Sequence, residues 1–496
     1  MQKYIINKTI LIPYMQLINR GFYQFSQKVN LPKTIGVLGY GAIGKAFTEL
    51  LLKQHPKANI VILDKHDAFF PNEKRFKTVI YKQTRDNLTQ TLDIMGLKEG
   101  DTLVDLSTNI GFAEIWALCA SKGVRYLNTA LEVWDDSEDA NSCPQNAEEA
   151  YKLTLGYIKD NAKKSPFWQK GPTSLFETGF NPGVISHCVK RGLEDCAKHY
   201  LKNPLREYNK SDLRRHLEQK NHSKLAQVLG VHTIHCSETD NQLMAEIPKD
   251  VKTKFYNTWS CRGFLTEGLV PAQVARGSHE DTHIPNCYTI RDGKTIVSKI
   301  PSVNIWAKSW VPNEDITGVL IPHGEAYSIQ DYLSDPETGY SPSQYYVYDY
   351  NPLAKEFIRN LPSSATIENT HPEMEVIHPM NFPSMKGWDK VGALLIMKNN
   401  RAWWTGSIMD EIDSSKIFNG KFGPTVLQVV AGVYGGFLWT CKHPNIGGHF
   451  SEDVETDDLI RIGEHLMGRF ISIPVDLNKT KIKDCYKFQS FLCQQI

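Results

Sequence analysis

The run Thr34–Leu38, followed by Gly39-Tyr40-Gly41-Ala42-Ile43-Gly44 and then a helical stretch to Gln54, constrains this chain more than any other segment. A buried-strand run, a G-x-G-x-x-G turn and an amphipathic helix in that order point to a dinucleotide-binding βαβ unit. Gly39 permits the tight turn, Gly41 lets the backbone approach a pyrophosphate, and Gly44 lets helix and strand pack closely. The helix start at Ala42 and Ile43 offers free N–H groups and a positive dipole end to the anion. Asp64 ends the next strand-like run 20 residues after Gly44. An acidic side chain there meets a ribose 2′-hydroxyl and repels a 2′-phosphate, so the expected cofactor is NAD, although Lys65 follows directly.

Strand-like and helical runs keep alternating beyond this unit. Ile60–Leu63, Thr78–Tyr81, Thr102–Leu106 and Arg125–Leu127 read as strands, with a helix over Phe112–Lys122. Such alternation predicts an α/β fold, a Rossmann-type doubly wound parallel sheet covered by helices on both faces. After about Phe180 the pattern changes to short aromatic runs such as VHTIHCSE, KFYNTWS and QYYVYDY, which predict a second, mixed α/β domain for substrate binding and dimerisation. The expected boundaries are an N-terminal extension over 1–32, a cofactor domain over 33–180, the second domain over 181–422, and a C-terminal helical segment over 423–496 that packs back on the first domain.

Charge directs attention to small ligands. The 56 Lys+Arg against 55 Asp+Glu leave no basic excess of the kind that nucleic-acid binding is built from. The ten cysteines contain no C-x-x-C pair, which argues against a disulfide framework or zinc ribbon. The N-terminal segment lacks a small-residue cleavage site and reads as a non-targeting extension of a cytoplasmic chain. Phe422–Cys441 is uncharged and of membrane length, but its Pro424, Gln428 and four glycines suit a helix buried in protein, packed closely through a glycine face.

In a doubly wound sheet, ligands bind outside the carboxyl ends of the strands at the switch in strand order. The loops expected there carry Ser107, Thr108 and Asn109, and Thr129, Ala130 and Glu132; their small polar residues suit a nicotinamide wall, or serve simply as helix caps. Asn181, in Gly179-Phe180-Asn181-Pro182-Gly183, is either the N-cap of the next helix or a partner for the nicotinamide carboxamide. In VHTIHCSETD a period of two puts His232, Ile234, Cys236, Glu238 and Asp240 on one strand face, and its two carboxylates suit an amine or ammonium group. Trp259 offers a π-face to a cation, worth about 0.5–2 kcal/mol, with Glu267 following on a helix-like segment. His323 and Glu325, in IPHGEA, are a candidate proton donor and acceptor, or a surface turn.

Taken in order and spacing, GYGAIG with Asp64, VDLSTN, YLNTALEVW, ETGFNPG, HCSETD, FYNTWSCRGFLTEG and IPHGEA resemble the bacterial-type homospermidine synthase family, within the saccharopine-dehydrogenase-like group. The resemblance runs from about Thr34 to Phe470. The fingerprint is shared by many families, whereas the NTWS-to-TEG segment and IPHGEA are far more specific. The resemblance implies an NAD-dependent, overall redox-neutral enzyme that condenses two putrescines to homospermidine through an imine, with release of ammonia, and a homodimer. Spermidine is a further candidate donor. On this reading Trp259 stabilises a cation, Glu267 and Glu238 anchor ammonium groups, Glu132 binds an amine or shuttles its proton, and His323 serves proton transfer. Two rivals stand beside it: a saccharopine- or carboxyspermidine-type reductive aminase, whose substrate carboxylates would need Arg262 or Arg276, and a non-catalytic NAD-binding sensor.

Overall fold

The computed structural model describes residues 29–66, 76–108, 110–132, 134, 163–285, 287–291, 293–362, 364–367 and 369–493. Asn109, and residues 1–28 of the expected N-terminal extension, lie outside them.

Apolar runs too short for helices form the first sheet. Ile35–Leu38, Ile60–Asp64, Phe76–Ile80, Thr102–Asp105, Arg125–Asn128 and Ser174–Phe176 pair in parallel, and numbered in sequence they lie in the order 3-2-1-4-5-6. Ile35, Val37, Ile60, Ile62 and Leu103 are fully buried, as expected where helices cover both faces. The order reverses between Ile35–Leu38 and Thr102–Asp105, which sets the glycine turn beside the loop after Asp105. The expected third strand begins two residues earlier than its sequence reading, at Phe76.

The second sheet is ten-stranded among the described residues and mixed. At its centre Val231–Asp240 pairs in parallel with Ser343–Asp349 and antiparallel with Trp388–Met397. One face, carrying Ile234, Cys236, Val391 and Ala393, shares a core with the first domain; the other, carrying Tyr345, Val347, Leu394 and Trp404, packs on Phe488 and Phe491 near the C-terminus. A small sheet of Lys254–Asn257 with Glu373–Val376 stands apart.

The 423–496 segment, read from sequence as helical and belonging to the first domain, is divided between the two. Gly448–Phe450 adds a seventh parallel strand beside Ser174–Phe176, whereas Arg469–Asp476 is a strand on Arg401–Asp410 in the second sheet. Its alternating Phe470, Ser472 and Pro474 pair across to Ser407, Thr405 and Trp403, and this pairing overrides a helical reading. The helix Pro424–Lys442 is long and apolar enough to cross a membrane by length and composition, and it is buried within the protein. Its glycines make that burial close: a Cβ at Gly432 would overlap the carbonyl of Gly179, and one at Gly436 would overlap the Thr178 hydroxyl.

Candidate active site

The three fingerprint glycines have three different surroundings. Gly39 has φ +90°, and a Cβ there would stand 2.7 Å from the carbonyl oxygen of Leu106. At Gly44 a Cβ would overlap the carbonyl of Gly39, so only glycine lets helix Ala42–Gln54 sit so close to the strand. At Gly41 a Cβ would meet nothing within 4 Å. Gly41 is the N-cap of that helix and supplies no side-chain acceptor, so the first N–H groups, at Ala42 and Ile43, have no side-chain cap. The residues therefore fit a dinucleotide pyrophosphate. Asp64 is held beside them: its Oδ2 accepts from the N–H of Tyr40 at 2.6 Å and its Oδ1 from that of His66 at 2.8 Å. Each oxygen keeps a further acceptor position for a ribose hydroxyl.

Ser107 donates twice to the buried Asp105, from its N–H at 3.1 Å and its hydroxyl at 2.6 Å, and this fixes the loop under Gly39. Thr129 and Ala130 follow Arg125–Asn128, and a Cβ at Gly179 would lie 3.8 Å from that of Thr129. The carbonyl of Glu132 accepts from Phe112 N–H at 3.0 Å, anchoring this loop to the helix Phe112–Ser121. The 129–132 loop and the domain junction thus meet at one end of the sheet.

Asn181 is not an N-cap. The helix after it runs over Val184–Lys202 with Gly183, at φ +128°, in the cap position. The Asn181 amide instead donates to Glu238 Oε2 at 2.8 Å, linking the junction to the second sheet. The hydroxyl of Tyr346 donates to the same oxygen at 2.8 Å. The Tyr346 ring lies 4.8 Å from His323 and stacks at 5.3 Å on Tyr348, whose hydroxyl accepts from Trp259 Nε1 at 3.0 Å. His323 Nδ1 bonds Glu325 Oε1 at 3.0 Å and Nε2 bonds Glu267 Oε2 at 3.3 Å. Glu238, Trp259, Glu267, His323 and Asn181, spread over 143 positions of sequence from Asn181 to His323, therefore belong to one connected network.

Its electrostatics are strongly acidic. Glu238 is buried, and burial, with Asp240 nearby, outweighs its two hydrogen bonds and pushes its carboxyl up to about 8. Burial likewise pushes Asp240 up to about 6 and Asp389, beside Glu238 and Asp240, well above the usual range. Glu177 is raised by burial and by the carboxylates of Glu325 and Glu452. Burial works against a charge on His323, but Glu325 and Glu267 overcome it and hold the imidazole protonated well above its ordinary range. Lys190, buried beside Glu452, spends its protons on the backbone carbonyls of Glu452 and Val454, at 2.9 and 2.6 Å. Such a wall, faced with tyrosine and tryptophan rings, suits a polycation with a methylene chain.

The strand-face reading holds from Ile234 to Asp240 but not at His232, where a bulge opposite Ile396 and Met397 breaks the alternation and the ring packs on His279 and Tyr486; Glu238 and Asp240 are buried rather than placed at a solvated strand end. Sequence reasoning passed over Tyr346 and Tyr348, which alternate within QYYVYDY, and Asp389, Glu177 and Glu452. The alternation was a usable signal for the tyrosines. Asp389 needed the strand pairing Asp389↔Asp240, which no local pattern contains. Arg276 is occupied: its guanidinium donates to the carbonyls of Gly293 and Glu280 at 2.9 and 2.8 Å and is no anchor for a substrate carboxylate.

Residues 35–175 match the saccharopine dehydrogenase NADP binding domain, and residues 179–471 match the saccharopine dehydrogenase C-terminal domain. A homospermidine synthase of Mesorhizobium japonicum is 27% identical over 429 residues, covering 83% of this chain and 84% of that protein. One from Blastochloris viridis is 25% identical over 456 residues, covering 89% and 91%. The crystal structure of a homospermidine synthase from Legionella pneumophila in complex with NAD is similar with a TM-score of 0.78 at 25% identity, over 95% of this chain and all of that one.

Proposed function

The chain belongs to the saccharopine dehydrogenase family, and from that premise we propose that it is an NAD-dependent homospermidine synthase, joining two putrescines into homospermidine with release of ammonia. The observation that carries this reading is the buried acidic and aromatic wall around Glu238, which has more carboxylates than cationic partners. A substrate bearing two ammonium groups supplies the missing charge. NAD, held at the Gly39–Gly44 turn and by Asp64, would supply the hydride acceptor for the amine-bearing carbon and the hydride donor for the condensed imine.

The chain's own residues do the rest. Glu238, steadied by Asn181 and Tyr346, binds an ammonium once ionised. Trp259, fixed through Tyr348, presents its ring to the iminium carbon. His323, protonated and held by Glu325 and Glu267, gives a proton to the departing amine, a role its two carboxylate partners support. Glu267 anchors an ammonium, and Glu132, on the loop beside the expected nicotinamide, binds an amine or moves its proton. The Asp64 carboxylate supports NAD over NADP, despite the cofactor in the matching domain's description.

Purified protein given NAD and putrescine should form homospermidine and ammonia in equal amounts, read by mass spectrometry, without net NADH accumulation. No homospermidine, or reductive amination of amino-acid substrates in its place, would overturn the reading. We also place the protein in the cytoplasm, which its sparse cysteines without C-x-x-C pairs support, and as a homodimer. Fractionation and light scattering test these two points.

A further inference from the structure

The amino ends of the first sheet, opposite the glycine turn, border an open cavity of about 1320 Å³ that none of the steps above uses. Its walls are the residues just before strands Ile35–Leu38, Thr102–Asp105, Arg125–Asn128 and Ser174–Phe176, together with the end of helix Pro424–Lys442. Small-molecule sites commonly hold about 300–1,000 Å³, so the space suits a ligand larger than a single ion.

Arg125 opens its strand at this cavity and is only 5% exposed. Leu127, on the same strand face, packs in the core with helix Pro424–Lys442, so the arginine side chain is directed to the end of that helix, where its charge acts on the Cys441 thiol. Its Nη2 donates to the carbonyl of Gly100, its Nε has no partner, and among the described residues no carboxylate pairs with it. The adjacent Asp101 is already bonded: its Oδ1 accepts from the N–H of Thr34 at 2.8 Å and its Oδ2 from that of Lys98 at 2.9 Å. A guanidinium does not give up its proton, and a buried charge without a counter-ion is costly. An anion in the cavity relieves that cost.

Lysines extend the positive charge to the rim. Lys33, Lys98 and Lys170 are exposed there and make no ion pair among the described residues, whereas Lys442 pairs with Asp458 at 2.8 Å. The lining thus holds five cations, these four and Arg125, against the two carboxylates of Glu99 and Asp101. The whole chain carries a net charge of only +1, so this excess is local. The loop between is bare, since a Cβ at Gly96 or at Gly100 would meet nothing within 4 Å. Lysines act as separate point charges, which suits phosphate groups spread along a ligand, whereas carboxylates favour the planar fork of arginine.

We propose that this cavity is a second ligand site, distinct from the cofactor turn, for a small molecule carrying a chain of phosphates, with Arg125 at its buried side and Lys98 and Lys170 at its rim. Tripolyphosphate is the probe, titrated calorimetrically in magnesium-free buffer into the full chain saturated with NAD, so that the glycine turn is occupied. One tripolyphosphate should bind per chain, at least about tenfold tighter than inorganic phosphate. Lys98→Glu and Lys170→Glu should each weaken it roughly tenfold, with unchanged thermal midpoints. Lys479→Glu, at an exposed lysine outside the cavity, should weaken it less than about twofold. Arg125→Met should abolish binding, and the two lysine variants decide the matter if that protein does not fold. No binding to wild type, equal affinities for phosphate and tripolyphosphate, no loss in either lysine variant, or an equal loss in Lys479→Glu would overturn the site.

Discussion

Glu238→Gln is the substitution with the clearest arithmetic. The carboxyl titrates near 8 in the substrate-free protein because it is buried next to Asp240, so at pH 7 only about one molecule in eleven carries the charge that an ammonium needs. At pH 9 about ten in eleven carry it, and kcat/KM for putrescine should therefore rise about tenfold between pH 7 and pH 9, or about 1.4 kcal/mol. Asp240, at about 6, is mostly ionised before this window opens and adds little to the slope. The substrate contributes little below pH 9, since alkylammonium groups titrate near 10.4. Glutamine keeps the shape and still accepts from Asn181 and Tyr346, but it does not titrate. The variant should fall to or below the wild-type pH 7 rate and lose the rise. The assay is product formation by mass spectrometry at limiting putrescine from pH 6.5 to 9. A wild-type profile that is flat in this range, or a rise that persists in Glu238→Gln, would refute the assignment of that titration to Glu238.

The same geometry sets other outcomes. Gly41→Ala should fold with a stability within about 0.5 kcal/mol of wild type, because its Cβ meets nothing within 4 Å, yet weaken NAD binding at least about tenfold; Gly44→Ala should lower the thermal midpoint outright, because its Cβ overlaps Gly39. Trp259→Phe should retain part of the activity and Trp259→Ala much less, and equal rates for the two would remove the ring from the mechanism. Glu238, Asp240 and Asp389 titrate higher folded than unfolded, so the folded chain holds the extra protons. Their stabilising contribution is full below about pH 4 and lost as pH rises through the folded values. The substrate-free thermal midpoint should thus drop from pH 6 to pH 8.5, and saturating putrescine should restore part of it, both read by calorimetry.

The cofactor turn was legible in sequence because each of its requirements is local: a turn at Gly39, a bare backbone at Gly41, a close approach at Gly44, and a carboxylate at the next strand end. The inward face of Val231–Asp240 was legible for a similar reason, since alternation is a property of one strand. What one strand does not contain is its neighbour. Asp389 reaches the site only because Trp388–Met397 pairs with Val231–Asp240 in one register, and Tyr346 because Ser343–Asp349 flanks the other side. Asn181 was ambiguous for a different reason. Asn-Pro before a helical run satisfies capping rules on its own, and the start of the helix at Val184 is what frees the amide for Glu238. The tail was misread in part because the strong helical pattern of Pro424–Lys442 biases the reading of the residues after it, although Arg469–Asp476 carries its own strand alternation.

The first sheet closes only with residues that the ribosome delivers near the end. Until Gly448–Phe450 emerges, Ser174–Phe176 has an open edge, and until Pro424–Lys442 arrives the helix Ala42–Gln54 lacks its helical neighbour. A nascent or truncated chain ending near residue 420 therefore exposes an unpaired parallel strand and an apolar slot, features that invite association with other chains. The cofactor half of this protein is completed by residues that follow the substrate half, so chains cut near residue 420 should be cleaved by protease faster than the full chain.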